Sequence, residues 1–367
     1  MSAADLGLYL HVPFCRTRCR YCDFYRVGEN RGRMDRFVAA LAREIDGWTR
    51  FHGRPVESVF FGGGTPSLLE PEEIGAILER IGRRFALAAG AEVTAEANPS
   101  DLDPARLARL RAAGVNRLSI GVQSFVEREL RLLGRRHGAA RAAEVLGEAR
   151  AAGFERVSLD LMVGIPAQTD GSFAASLERA IELDPDHLSL YLLEVHAGSE
   201  IDHLRRERPR LFPGEEAQRR RYLAMRERLE RAGYRHYEIS NFARPGRECR
   251  HNLRYWRCQP WLGLGPAAHS FVDDRRFAHP RDLEAWLADP LAVEELPSDP
   301  AAERVFLGLR LAEGIDLATL AAAGVSGAEA RRRIDRLADF LEEREGRLRL
   351  RPEGLLLSNP VLAELLR

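Results

Sequence analysis

Three of the chain's five cysteines, Cys15, Cys19 and Cys22, are clustered near its start, while Cys249 and Cys258 lie far downstream. An odd number grouped this way suits a metal centre better than a disulfide framework. Thiolates spaced C-x-x-x-C-x-x-C can ligate three irons of a cubane [4Fe–4S] cluster and leave the fourth iron open to a non-protein ligand, whereas four-cysteine clusters of the ferredoxin type only transfer electrons. An open iron implies chemistry at the cluster. Two residues after Cys22, position 24 is Phe24. The competing reading is a zinc site, which needs a fourth ligand such as His11, Cys249 or Cys258 to close a tetrahedron. Only Cys19 and Cys22 form the C-x-x-C pair from which such sites are usually built.

A second chemical feature is Gly62-Gly63-Gly64-Thr65-Pro66, directly after a strand-like run. Such a loop lets backbone groups approach a ligand that side chains would otherwise block, although alone it reads equally as a bare turn. Gly263 and Gly265 are followed by neither a helix pattern nor a ribose-binding acid, which argues against a dinucleotide site. Every basic residue is arginine; the chain holds no lysine. Walker-type phosphate loops, pyridoxal chemistry and Schiff-base aldol chemistry all need one.

The elements that must position these residues are legible as alternation. Short β-type runs at 7–12, 56–61, 91–96, 116–121, 155–161 and 187–193 are separated by helical patterns such as Phe37, Leu41, Ile45 and Trp48, and by a helix punctuated by Asp103, Pro104 and Gly114. This rhythm predicts six βα units around a parallel sheet, an open or closed barrel with its chemistry at the C-terminal strand ends. There lie the cysteines after the first strand, the glycine loop after the second, Glu96 ending the third, and Gln123 and Asp160 at the ends of the fourth and fifth. A helix over 214–232 leads into turn-rich aromatic sequence, from Tyr234 to about Pro280, that predicts β-hairpins beside the barrel. From Pro297 the pattern changes. Ser298-Asp299-Pro300 opens a helix, Ile334, Leu337 and Leu341 mark another, and RLRLR at 347–351 flanks a turn, together a small helical and winged-hairpin domain.

The 367 residues are 45% hydrophobic and 30% charged, with formal net charge zero, enough for a large core plus a smaller domain. No global field favours nucleic acid or an anionic membrane. The N-terminal residues lack a signal-peptide pattern, and no segment has the apolar length to span a bilayer, so a cytoplasmic location is expected.

In chain order, Y-L-H-V-P-F-C-x-x-x-C-x-x-C-D-F (9–24), F-G-G-G-T-P-S (61–67), S-I-G-V-Q-S-F (119–125) and H-N-L-R-Y-W (251–256) resemble the motifs of a known family. It is the radical-SAM, oxygen-independent coproporphyrinogen oxidase-like family, most closely its HemW-type heme-chaperone branch, and the resemblance covers nearly the whole chain. It implies an α/β fold, a radical-SAM (β/α)6 partial TIM barrel over 1–233, a β-rich extension over 234–296 and a small winged-helix-like C-terminal domain of HemN type over 297–367. It also implies a [4Fe–4S] cluster on Cys15, Cys19 and Cys22, with S-adenosylmethionine chelating the open iron. Tyr9, Gly63, Gly64, Thr65, Glu96, Gln123, Arg135 and Asp160 match cofactor-contacting positions.

The same family holds a coproporphyrinogen dehydrogenase and a heme chaperone. Phe24 in place of a further cysteine, only eight residues before Tyr9, and the heme-associated motif carrying His251, Tyr255 and Trp256 point to the chaperone. On this reading His251 offers an imidazole to heme iron and the rings pack on the porphyrin. The expected function is binding of heme and its delivery to recipient hemoproteins without dehydrogenase activity, with homodimer formation left open. Oxidative decarboxylation of coproporphyrinogen III and a zinc-stabilised binding protein are the alternatives. His11 reads equally as a group behind the cluster or a core histidine, His269 as cofactor-facing or turn-packing, and Cys249 and Cys258 as plain thiols.

Overall fold

The structure, a computed structural model, describes residues 5–367. The six alternating runs form parallel strands β1 (Leu6–Val12), β2 (Pro55–Gly63), β3 (Ala86–Ala97), β4 (Arg117–Gln123), β5 (Arg156–Val163) and β6 (His187–Leu192), paired in that order. Parallel neighbours need a crossover, and helices such as Arg31–Gly47, Pro71–Arg84 and Pro104–Ala112 supply it. Asp103 caps the last of these by accepting from the Arg106 amide at 2.7 Å, as its sequence punctuation predicts.

Alternation sorts each strand into two faces. In β4, buried Leu118, Ile120 and Val122 join the main apolar core, while Arg117, Ser119 and Gln123 occupy the alternate positions; in β5, Val157, Leu159 and Leu161 alternate with Ser158 and Asp160. A barrel filled only for stability would carry branched aliphatic residues on that second face. A polar one suits a ligand.

Residues 234–296 do not stand beside the barrel as a unit of hairpins. The strands β7 (Arg235–Glu238) and β8 (Asn241–Ala243) join the β6 edge, with β8 antiparallel to β6. At the opposite edge β9 (Trp261–Leu264) pairs parallel with β1, followed by antiparallel β10 (His269–Val272), β11 (Arg275–Ala278) and β12 (Glu294–Leu296). Among the described residues one sheet of 12 strands results, in the order β12-β11-β10-β9-β1-β2-β3-β4-β5-β6-β8-β7. Within the expected hairpin region, Arg250–Trp256 is a helix. The cause lies in β3: Glu92 accepts from the Arg250 and His251 amides at 3.2 and 3.1 Å, satisfying donors that a helix start leaves open.

At the C-terminus, helices Pro300–Gly308, Leu317–Ala322 and Gly327–Arg336 pack with an antiparallel sheet of β13 (Ile315–Asp316), β14 (Leu341–Arg344) and β15 (Arg347–Leu350), ordered β13-β15-β14. Leu341, expected on a helix, begins β14 instead. The helix stops at Arg336, and the Phe340 and Leu341 amides both turn back to the Leu337 carbonyl at 2.8 Å. Among the described residues no helix is long and apolar enough to cross a membrane.

Candidate functional site

A cavity of about 940 Å³ opens at the C-terminal ends of the barrel strands, near the top of the range for small-molecule sites. Residues of all six strands line it, as do Tyr255, Trp261, His269, His279 and Arg281 from the extension. The six parallel strands therefore curl around one space to which β1 and β6, at the two ends of their row, both contribute. After β1 the chain makes a closed loop. Phe14–Cys15 pairs with Val27–Gly28, and the Glu29 amide reaches the Cys15 carbonyl at 3.0 Å, so Cys15, Cys19 and Cys22 all line the cavity. The thiols already have polar partners: Thr65 Oγ1 donates to Cys15 Sγ at 3.5 Å, Arg135 Nη1 to Cys19 Sγ at 3.3 Å, and the Phe24 amide and Arg26 side chain face Cys22. Burial pushes the Cys15 and Cys22 thiols up, the penalty that bound cationic iron would reverse.

The three groups that a zinc site would recruit are engaged elsewhere. Tyr9 donates its hydroxyl to His11 Nδ1 at 3.2 Å, and His11 Nε2–H donates to the Tyr25 carbonyl at 2.9 Å. Cys249 is buried and donates to Glu92 at 3.5 Å; Cys258 is packed with Trp261 and Phe271. His11 is thus buried with both ring nitrogens hydrogen-bonded.

Beside the thiols, the glycine loop turns at Gly63 with φ +106°, and its amide donates to Glu96 Oε2 at 3.1 Å. A Cβ there would stand 2.7 to 2.9 Å from the His11 ring. Gln123 closes β4 with φ +68° at a shift of register against β5, a bulge that re-aims its side chain. Its Oε1 is buried without a partner among the described residues, and Gln123 lines the cavity. Arg135 also reaches the Asn98 side chain and the Gly121 carbonyl. Asp160, expected at a strand end, lies three residues inside β5 and accepts from Ser119 at 3.1 Å. Asn98, which links Thr65 to Arg135, and Ser119 were missed by motif reading. The alternation of polar residues along β4 and β5 was the available signal for Ser119.

Desolvation pushes Glu96 up to about 7, helped by the nearby Asp160 charge, and pushes Asp160 up to about 6. Folded protein therefore holds protons that the unfolded chain has lost, so stability falls as pH rises from the ordinary carboxylate range toward 7 and then levels. Glu96→Gln removes that ionisation. In the cofactor-free protein it is expected to raise the urea midpoint more at pH 8 than at pH 5; equal changes at both would contradict the assignment.

Of the H-N-L-R-Y-W residues, only Tyr255 reaches the cavity. His251 is 1% exposed, stacks on Phe60 at 5.3 Å, and has both ring nitrogens occupied, Nδ1 by Ser58 Oγ at 2.9 Å and Nε2 by Tyr255 Oη at 2.8 Å. Burial and the Arg254 and Arg117 charges hold it down, at about 3, so the ring is neutral. Trp256 is turned toward the C-terminal domain, 6.0 Å from the Arg310 guanidinium. The structure therefore does not present His251 and Trp256 to a ligand, because buried partners use the imidazole first. His251 positions Tyr255. His251→Ala leaves Ser58 and Tyr255 unpaired around a void and should destabilise the fold by about 2–4 kcal/mol in denaturant titrations. A loss below about 0.5 kcal/mol would place the ring outside the structural network.

Comparison with known proteins supplies the family. The Radical SAM superfamily profile matches residues 9–180, and the HemN C-terminal domain profile matches residues 296–357. The heme chaperone HemW of Mycobacterium tuberculosis (strain ATCC 25618 / H37Rv) is 40% identical over 379 residues, covering 100% of this chain and 96% of its own. The chain belongs to the HemW family. HemW of Escherichia coli (strain K12) is 40% identical over 287 residues, 75% of each chain. The mitochondrial radical S-adenosyl methionine domain-containing protein 1 of Bos taurus is 41% identical over 289 residues, 77% of this chain and 65% of its own. Among solved structures, the coproporphyrinogen III oxidase HemN of Escherichia coli, titled a radical SAM enzyme, superposes with TM-score 0.85 at 25% identity, over 100% of this chain and 91% of HemN. The fold of this HemW-family chain is the radical-SAM α/β fold, and its family implies a [4Fe–4S] cluster and S-adenosylmethionine.

Proposed function

We propose that the protein binds heme and delivers it to recipient hemoproteins, on a radical-SAM scaffold in which Cys15, Cys19 and Cys22 hold the cluster. Tyr9, Gly63, Gly64, Thr65, Glu96, Gln123, Arg135 and Asp160 receive S-adenosylmethionine. The observation that carries this reading is full-length 40% identity to a heme chaperone. The residues present fit the cofactors: three thiols on one wall, a glycine loop that a Cβ would close, carboxyls for amine or ribose hydroxyl donors, and an unpaired Gln123 oxygen. When bound, the cluster and its ligand supply one-electron chemistry. The chain's own share is to seat the cysteines on a closed loop, to pair thiols with Thr65 and Arg135, and to keep a polar cavity wall.

The likeness to HemN favours a second reading, oxidative decarboxylation of a porphyrinogen propionate. Parallel hemin titration and anaerobic coproporphyrinogen turnover separate the two. Saturable heme binding, transfer to an apo-hemoprotein and no turnover support the chaperone; turnover at ordinary enzymatic rates, or no binding above background, ends that assignment.

A further inference from the structure

Besides the polar residues Gly63, Glu96 and Gln123, the cavity is lined by histidines that come from β1, from β10, from the segment after β6 and from the segment after β11. Among the described residues, His11, His196, His269 and His279 line the cavity. His11 has both nitrogens hydrogen-bonded. His279 donates to the Ala292 carbonyl at 3.0 Å and pairs with Glu44 at 2.7 Å. The His196 ring stands 3.8 Å from Asp23 and 3.7 Å from Glu194. The His269 side chain has no hydrogen bond or ion pair among the described residues.

His269 is nevertheless held firmly. It opens β10, its carbonyl accepts from Trp261 Nε1 at 3.1 Å, and the adjacent Ser270 hydroxyl accepts from the Gly263 amide at 2.9 Å. A Cβ on Gly263 would lie 2.2 Å from the His269 carbonyl oxygen, so glycine is what lets this hairpin close. The side chain itself is exposed. A rigid backbone carrying a free imidazole is an arrangement for ligation, not for packing.

The surroundings match one kind of ligand. Phe24 is 69% exposed at the same cavity, a large apolar ring left uncovered. Tyr25 and Trp261 add aromatic wall, and Arg281 adds a cation able to meet a carboxylate. A flat apolar ring system with peripheral carboxylates and a metal that takes imidazole answers all of these features.

We infer that His269 is the axial ligand of heme iron in this cavity, with Phe24 against the porphyrin and Arg281 facing a propionate; this rests on the heme-chaperone reading above. Partial enclosure by the cavity, with the Arg276 and Arg281 charges, holds the imidazole below its ordinary value and so neutral at pH 7, the state that ligates iron. His251, whose nitrogens are consumed inside the fold, acts through Tyr255 in the cavity wall.

The test is hemin titration of the anaerobically purified, cluster-loaded chain, read by Soret absorbance and by low-temperature electron paramagnetic resonance of the ferric form. His269→Ala is expected to weaken binding at least ~10-fold and to lose the nitrogen-ligand signature. Added imidazole should restore that signature, with iron and sulfide content unchanged. His251→Gln, which keeps polar partners for Ser58 and Tyr255, should retain the signature. If His269→Ala keeps both affinity and spectrum while wild type binds saturably, the ligand assignment fails and the chaperone reading stands. If wild type shows no saturable binding, both fall. Should the alanine variant lose cluster iron through misfolding, His269→Asn gives the same comparison.

Discussion

Cys19→Ala is expected to strip the anaerobically reconstituted protein of most of its approximately four irons and four sulfides. The loop that carries the triplet is tied at both ends, by the pairing of Phe14–Cys15 with Val27–Gly28 and by the Val27 amide on the Pro13 carbonyl at 2.8 Å. No other cysteine can replace a missing ligand, since Cys249 and Cys258 are buried in separate environments. The loss should therefore be nearly complete rather than partial. Thr65→Ala provides the contrast. Its hydroxyl donates to Cys15 and accepts from Asn98 but is no ligand itself, so that variant should keep its iron. Iron and acid-labile sulfide analysis beside the visible spectrum reads both, and stoichiometric zinc without sulfide in the wild type would falsify the cluster.

Gly63→Val has the second large effect, on S-adenosylmethionine. The position combines φ +106°, which side-chain-bearing residues rarely adopt, with a Cβ site 2.7 Å from the His11 ring. That ring cannot swing aside without breaking its bonds to Tyr9 and Tyr25, and the Gly63 amide is itself held by Glu96. Valine must therefore displace the loop, which on the proposed reading cradles S-adenosylmethionine. Affinity measured anaerobically by equilibrium dialysis should fall ~10-fold or more, while most cluster iron stays bound because the thiols sit on a different segment. Unchanged affinity would remove the glycine loop from the cofactor site.

Several of these features were legible in the sequence because they are local. Cys15, Cys19 and Cys22 are close enough along the chain for spacing alone to specify a three-thiolate site. The six parallel strands follow from the alternation of short β-type runs with helical patterns, and Asp103 with Pro104 announces a helix start by the chemistry of its first turn. The H-N-L-R-Y-W run was recognisable as a motif, yet its geometry was not. Whether His251 meets a ligand or the core depends on Ser58, 193 residues away in sequence, and on Glu92 capping its helix from β3. Likewise, turn signals marked strands between 234 and 296 but could not assign them to opposite edges of one sheet, since pairing partners are set by tertiary register. Sequence by itself showed the three clustered cysteines, the six βα units of the barrel and, through its family motifs, the cofactor class. Only the tertiary structure decided which histidine stands free in the cavity, because an imidazole's availability depends on what long-range neighbours have already bound to its two nitrogens.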